Sequence, residues 1–171
     1  MAHAMPAAAA LRVLDMLADA GVATTVGGGW GVDALLGEQT REHSDLDLWL
    51  PAEHLDRLTS AVASEGIDRV LPWPGDRPWN FVLHDGAALR LDLHIYESLP
   101  DGDLHYGSVN APTVFPAAAL AGSGVIGGRA VRCEAAEWAL RWHTGYPARA
   151  VDGHDVRLLC ARYGFEPPEL E

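Results

Sequence analysis

Asp45 and Asp47 flank Leu46, and Asp92 lies between Leu91 and Leu93. Both acidic sites sit in runs that alternate polar and apolar residues, Asp45 to Leu50 and Leu89 to Ile95. Alternation with a period of two sorts side chains onto opposite faces of a β-strand. Asp45 and Asp47 therefore point together, their Cα atoms roughly 6–7 Å apart, while Leu46, Leu48 and Leu50 point the other way. In the second run Arg90, Asp92 and His94 share the polar face, and Leu89, Leu91, Leu93 and Ile95 share the apolar one. Neighbouring carboxylates repel, and each raises the other's pKa unless a cation sits between them. A divalent metal is the simplest resolution, and Mg²⁺ binds oxygen ligands, commonly one or two carboxylates plus substrate phosphates. Two Mg²⁺ ions could be bridged by Asp45 and Asp47. Asp92 could bind one of them and accept a proton from an attacking hydroxyl. The bland alternative is a solvated sheet face. The third carboxylate and the segment just upstream favour chemistry.

That segment is Gly27-Gly28-Gly29-Trp30. Glycine runs are usually turns, but this one lies between a short β-branched run, Val22 to Val26, and a short helix over 32–36. The first amides of a helix lack partners and suit an anion such as phosphate. Arg41 is the basic residue nearest the carboxylates. Its planar fork suits phosphate oxygens, and a surface pair with Glu42 or Asp45 accounts for it equally well. His43 and His94 flank the acidic strands and could ligate metal, although orienting a carboxylate is the commoner role. Trp30, Trp73 and Trp79 could wall a ring-bearing substrate.

Several chemistries are excluded. All 12 basic residues are arginine, which removes the lysine of a Walker-type phosphate loop and any Schiff base. A formal net charge of −12 argues against a nucleic-acid partner and suits a cationic small molecule. Neither HxxxH nor HExxH occurs, so zinc is a poor fit. Cys133 and Cys160 form no CxxC pair and point to a reducing compartment. No basic leader or long apolar run marks export or a membrane span, which places the protein in the cytoplasm.

The elements that must hold these residues read as follows. A helix spans 4–20 and a strand 22–26. After the helix over 32–36 come a polar loop at 39–44 and the acidic strand at 45–50. Pro51 opens a third helix, ended by Gly66, and a strand follows over 67–71. Residues 72–79 form a loop, and 80–84 and 89–95 pair as strands across Asp85-Gly86. Residues 97–124 read as loops with one short strand, and 125–132 as a tight hairpin around Gly127-Gly128. Helices over 134–144, with Trp138 and Trp142 on one face, and over 152–163 end the chain. No repeat or linker divides the 171 residues. The fold class is α/β of the α+β type: a single domain, 1–171, with a small mixed sheet, helices on one face, the acidic site on the other, and a C-terminal helical segment over 134–165.

Gly28-Gly29-Trp30-Gly31-Val32-Asp33 and Thr40-Arg41-Glu42-His43-Ser44-Asp45-Leu46-Asp47 resemble the nucleotidyltransferase superfamily related to DNA polymerase β. More narrowly, the block is similar to the small antibiotic nucleotidyltransferases that modify lincosamides and to the aminoglycoside 2″-nucleotidyltransferases. Leu91-Asp92-Leu93-His94 resembles the strand carrying that family's third carboxylate. His143-Thr144-Gly145-Tyr146 and Asp152-Gly153-His154-Asp155-Val156 resemble the C-terminal part of the lincosamide enzymes. The resemblance implies a nucleotidyltransferase fold in which Asp45 and Asp47 bind two Mg²⁺ ions. ATP or another nucleoside triphosphate would lie along Gly28, Gly29 and Trp30 with Arg41 nearby. It further implies that Asp92 deprotonates an antibiotic hydroxyl, with a lincosamide ahead of an aminoglycoside, and that pyrophosphate leaves. His94, His143, Tyr146 and His154 would then line the drug site of a homodimer.

Overall fold

The leucines of the two acidic runs decide which side of the sheet becomes core. A computed structural model describes residues 4–71, 77–144 and 150–168. In chain order the elements are α1 (Ala7–Asp19), β1 (Thr25–Val26), α2 (Gly28–Leu36), β2 (Leu46–Pro51), a 3₁₀ turn (Ala52–His54), α3 (Leu55–Ala63), β3 (Arg69–Val70), β4 (Asn80–His84) and β5 (Arg90–Ser98). They continue as β6 (Asp103–Ser108), β7 (Ala111–Pro116), a second 3₁₀ turn (Ala117–Leu120), β8 (Gly122–Ile126), β9 (Arg129–Cys133), α4 (Ala136–His143) and α5 (Ala150–Tyr163).

Among the described residues the strands form one nine-stranded mixed sheet with the path β3-β4-β5-β2-β1-β9-β8, and β6 and β7 extend from the far end of β5. β2 and β5 run parallel, as do β1 and β9, and the other pairs are antiparallel. Leu46, Leu48, Leu50, Leu91 and Leu93 are fully buried in one cluster with Leu14 and Leu17 of α1 and Leu58 and Val62 of α3. The opposite face carries a second cluster, in which Trp49, Leu104 and Phe115 meet Tyr96, Tyr106, Trp138 and Trp142. Trp142 of α4 stacks on Trp49, so this helix lies against the acidic face.

The tight hairpin is present, with φ +56° at Gly127 and +83° at Gly128. Positive φ at both central residues gives the twist a two-residue hairpin needs. The stretch over 97–124 differs from the sequence reading: it holds the β6–β7 hairpin and the start of β8. β7 pairs with β6 alone, which is why Pro112 and Pro116 are tolerated in it. With four of its six residues exposed at the start of the strand, β7 has no alternation to reveal it. Of the loop over 72–79, residues 72–76 lie outside the described residues, Trp73 among them. Trp79 packs against the main core. Among the described residues no helix is long and apolar enough to cross a membrane.

α2 is clamped between β2 and β8. A Cβ on Gly124 of β8 would collide with the backbone of Ala34 in α2. Gly124→Val should therefore cost about 1–3 kcal/mol, read as a lower urea midpoint at unchanged slope. An unchanged midpoint would contradict this packing.

Candidate active site

β2 and β5 pair in parallel register with Asp47 opposite Asp92 and Trp49 opposite His94. Side chains in register on adjacent strands share a face, and the strands lie about 4.8 Å apart. Ligand atoms of Asp47, Asp92 and His94 all fall within 4.8 Å of one another. His94 Nε2 is 3.4 Å from Asp47 Oδ1 and 3.8 Å from Asp92 Oδ1. Asn80 of β4 donates from Nδ2 to Asp92 Oδ1 at 2.7 Å and to the Leu93 carbonyl at 3.1 Å. Tyr106 Oη lies 3.2 Å from His94 Nδ1, and Trp49 stacks on the His94 ring at 4.8 Å. Asp45 stands one residue before β2, and its charge reaches Asp92.

Burial pushes the Asp92 carboxyl up to about 6, and the charges of Asp47 and Asp45 add to the rise against the opposing pull of His94 and Asn80. Burial alone would lower the pKa of His94. The hydrogen bond to Asp47 and the charges of Asp92, Asp47 and Glu134 outweigh it, and the pKa is raised. A cluster that holds protons against such repulsion is one that a divalent cation would relieve.

Gly28 and Gly29 open α2 with Gly27 as the extended residue before it, whereas the sequence reading began the helix at residue 32. Gly27 donates its N–H to the Asp47 carbonyl at 3.0 Å, tying the helix start to β2. Gly28 has φ +54°, and a Cβ there would fall on the Asp47 carboxylate. A Cβ on Gly29 would fall on Arg41 Nη2 and the His43 ring. Glycine thus lets the first turn of α2 approach Asp47 and Arg41 closely. No side chain caps this helix. Trp30, which the sequence reading set beside a substrate, is 1% exposed in the core and lies on the His43 ring at 4.3 Å.

Arg41 reaches across to α5. Its Nε and Nη2 make a two-pronged contact with Asp155 of α5 at 2.9 and 2.6 Å. Nη1 donates to the Glu42 carbonyl and sits 3.1 Å from His43 Nδ1. His43 Nε2 meets Asp33 at 2.5 Å, and the Thr40 hydroxyl donates to the same carboxylate at 2.6 Å. His154 reaches Thr40 Oγ1 at 3.1 Å. His143 donates from Nδ1 to the Ala139 carbonyl and faces Asp155 at 3.5 Å with Nε2. His143 and His154 join a polar network that ties α4 and α5 to α2 and to the loop before β2. Tyr146 lies outside the described residues.

Sequence reasoning missed Asn80, Tyr106, Trp49, Glu134, Asp33 and Asp155. Asn80 and Trp49 could have been found as same-face neighbours of the acidic pair once the strands were placed. Glu134 carried no signal. It is buried, accepts from Trp49 Nε1 at 2.6 Å, and burial pushes its carboxyl up to about 7. Cys133 is buried with its thiol pushed up to about 12, which suits packing and no nucleophile.

The comparisons with known proteins agree with this geometry. A family model described as aminoglycoside-2''-adenylyltransferase matches residues 9–159. A 2''-aminoglycoside nucleotidyltransferase of Escherichia coli is 35% identical over 153 residues, covering 85% of this chain and 80% of that one. The lincosamide antibiotic adenylyltransferase LnuA, solved with lincomycin bound, has a TM-score of 0.76 at 26% identity, covering 88% of this chain and 93% of that one. ANT(2'')-Ia in complex with adenylyl-2''-tobramycin gives 0.71 at 25% identity, covering 91% and 88%. These relatives and the shared fold make the chain a nucleotidyltransferase. The chain belongs to the aminoglycoside-2''-adenylyltransferase family.

The Asp155 pair sets an acid limit on stability. Burial would raise the Asp155 carboxyl, but hydrogen bonds from Arg41 and His143 outweigh it and bring the pKa to about 2. A carboxyl depressed by folding adds stability above its ordinary pKa and loses it as pH falls through the folded value. Stability should fall by about 2 kcal/mol between pH 4 and pH 2. Asp155→Asn should lack that component. Urea melts across this range check it, and identical acid profiles would contradict it.

Proposed function

We propose that this nucleotidyltransferase moves AMP from ATP onto a hydroxyl of an aminoglycoside antibiotic, releasing pyrophosphate and inactivating the drug. The observation that carries the reading is the pairing of Asp47 with Asp92 on parallel strands beside the uncapped start of α2. The donor set fits a divalent metal, because two carboxylates and His94 converge with Asp45 close by. Asp45, Asp47 and Asp92 would hold two Mg²⁺ ions, which when bound neutralise the triphosphate and favour displacement at the α-phosphorus. The first amides of α2, at Gly28 and Gly29, and the Arg41 guanidinium receive the phosphates.

Asp92 accepts the proton of the acceptor hydroxyl. Burial and the charges of Asp47 and Asp45 raise its pKa in the metal-free site, which favours a cation there. Asn80 fixes one Asp92 oxygen and His94 offsets its charge, so the carboxylate is aimed before the acceptor arrives. The acceptor oxygen attacks the α-phosphorus in line. The bond to the bridging oxygen breaks, and pyrophosphate departs.

Family membership, the 35% identical relative and a net charge of −12 favour a polycationic aminoglycoside. A lincosamide is the second reading, favoured by the TM-score of 0.76 to the lincomycin-bound enzyme. A cytoplasmic homodimer with the acceptor near the subunit interface, and no nucleic-acid partner, belongs to the same reading and rests on the family resemblance and the charge.

A pyrophosphate-release screen crossing the four nucleoside triphosphates with aminoglycoside and lincosamide panels should respond to ATP with an aminoglycoside. Release with lincosamides alone would reverse the order, and release with neither would overturn the proposal. In the active pairing, Asp92→Asn should lower turnover by about 10²–10⁴-fold while calorimetry shows Mg·nucleotide binding retained. Full activity in Asp92→Asn would remove it as the base.

A further inference from the structure

We propose that Asp155 is a positioning residue for nucleotide binding: from α5 it holds the Arg41 guanidinium against the first turn of α2, where the triphosphate docks. This rests on the reading that Arg41 meets the triphosphate. The contact is two-pronged, at 2.9 and 2.6 Å, which fixes both the place and the plane of the fork. Asp155 is fully buried, and its Oδ2 also faces His143, itself anchored on the Ala139 carbonyl. Nη1 is held by the Glu42 carbonyl and by His43, which is fixed on Asp33. Gly29 supplies the remaining space, because a side chain there would displace Nη2. The Arg41 side chain keeps 22% of its surface exposed, so a fixed cation still faces solvent beside the helix start.

Such an arrangement pre-organises the cation. An arginine on the 39–44 loop alone would lose its side-chain freedom each time nucleotide bound, and the bridge to α5 removes that cost beforehand. The bridge spans 114 residues of sequence, so the C-terminal helices contribute to nucleotide affinity through a residue that touches no nucleotide.

Steady-state kinetics with ATP and the acceptor found in the screen test this on folded protein below the melting range. Asp155→Asn should raise the KM for ATP about tenfold, with the KM for the acceptor within about twofold and a smaller change in kcat. Asp155→Glu, which retains the charge, should recover part of the loss, and Arg41→Gln should raise the same KM. An effect of Arg41→Gln without one of Asp155→Asn overturns the positioning role and leaves the nucleotide reading standing. No effect of either overturns both. Equal changes in both KM values would mark Asp155 as merely structural and overturn the proposal. If Asp155→Asn does not fold, the wild-type protein with ¹⁵N-labelled arginine decides. The Arg41 Nε–H resonance, assigned by its loss in Arg41→Gln, should shift with Mg·nucleotide analogue and stay still with acceptor alone. The absence of a nucleotide-dependent shift overturns the proposal.

Discussion

Two carboxylates on neighbouring strands repel, and the register of β2 with β5 leaves Asp47 and Asp92 no way to separate. That register is enforced from the other face of the sheet. Leu46, Leu48, Leu50, Leu91 and Leu93 are buried to the last, and a one-residue slip would drive Asp47 into the core and a leucine onto the active face. Hydrophobic burial thus holds an electrostatically unfavourable pair together. The protein offsets part of the repulsion with Asn80 and His94, and burial together with the remaining repulsion leaves the Asp92 pKa raised. In the proposed reaction a divalent cation relieves that repulsion, which is the source of the site's metal affinity.

Around this pair the polar residues sort into two groups with different work. Trp49, Tyr106, Asn80 and His94 touch the carboxylates or one another on the sheet. Asp33, Thr40, Arg41, His43, His143, His154 and Asp155 form a buried network that seats α4 and α5 on α2 and on the loop before β2. A network of this kind is worth keeping only when each member is satisfied, because a half-paired buried group is costly. The Arg41–Asp155 and Thr40–His154 bonds in it each span 114 residues and tie α5 to the loop before β2.

The strands carrying the acidic residues were legible because burial on one face and chemistry on the other impose a strict two-residue alternation on Asp45 to Leu50 and Leu89 to Ile95. The Gly127-Gly128 hairpin was legible for a local reason, the positive φ at both turn residues. The β6–β7 hairpin was not, because an exposed edge strand with two prolines satisfies none of the patterns that mark a buried one. Trp30 was misplaced because an aromatic beside a glycine run looks the same in sequence whether it faces a ligand or the core. Asp155 could not be assigned to Arg41 by any local rule, since their pairing is a product of tertiary structure alone.

The account turns on Asp47 and Asp92 forming one metal-binding centre. Anomalous diffraction from crystals grown with Mn²⁺ and a non-hydrolysable ATP analogue measures this directly. The predicted result is two peaks about 3.5–4 Å apart, in contact with Asp47 and Asp92 and with the phosphates running toward Gly28. A bound nucleotide with no peak at these carboxylates would contradict the account.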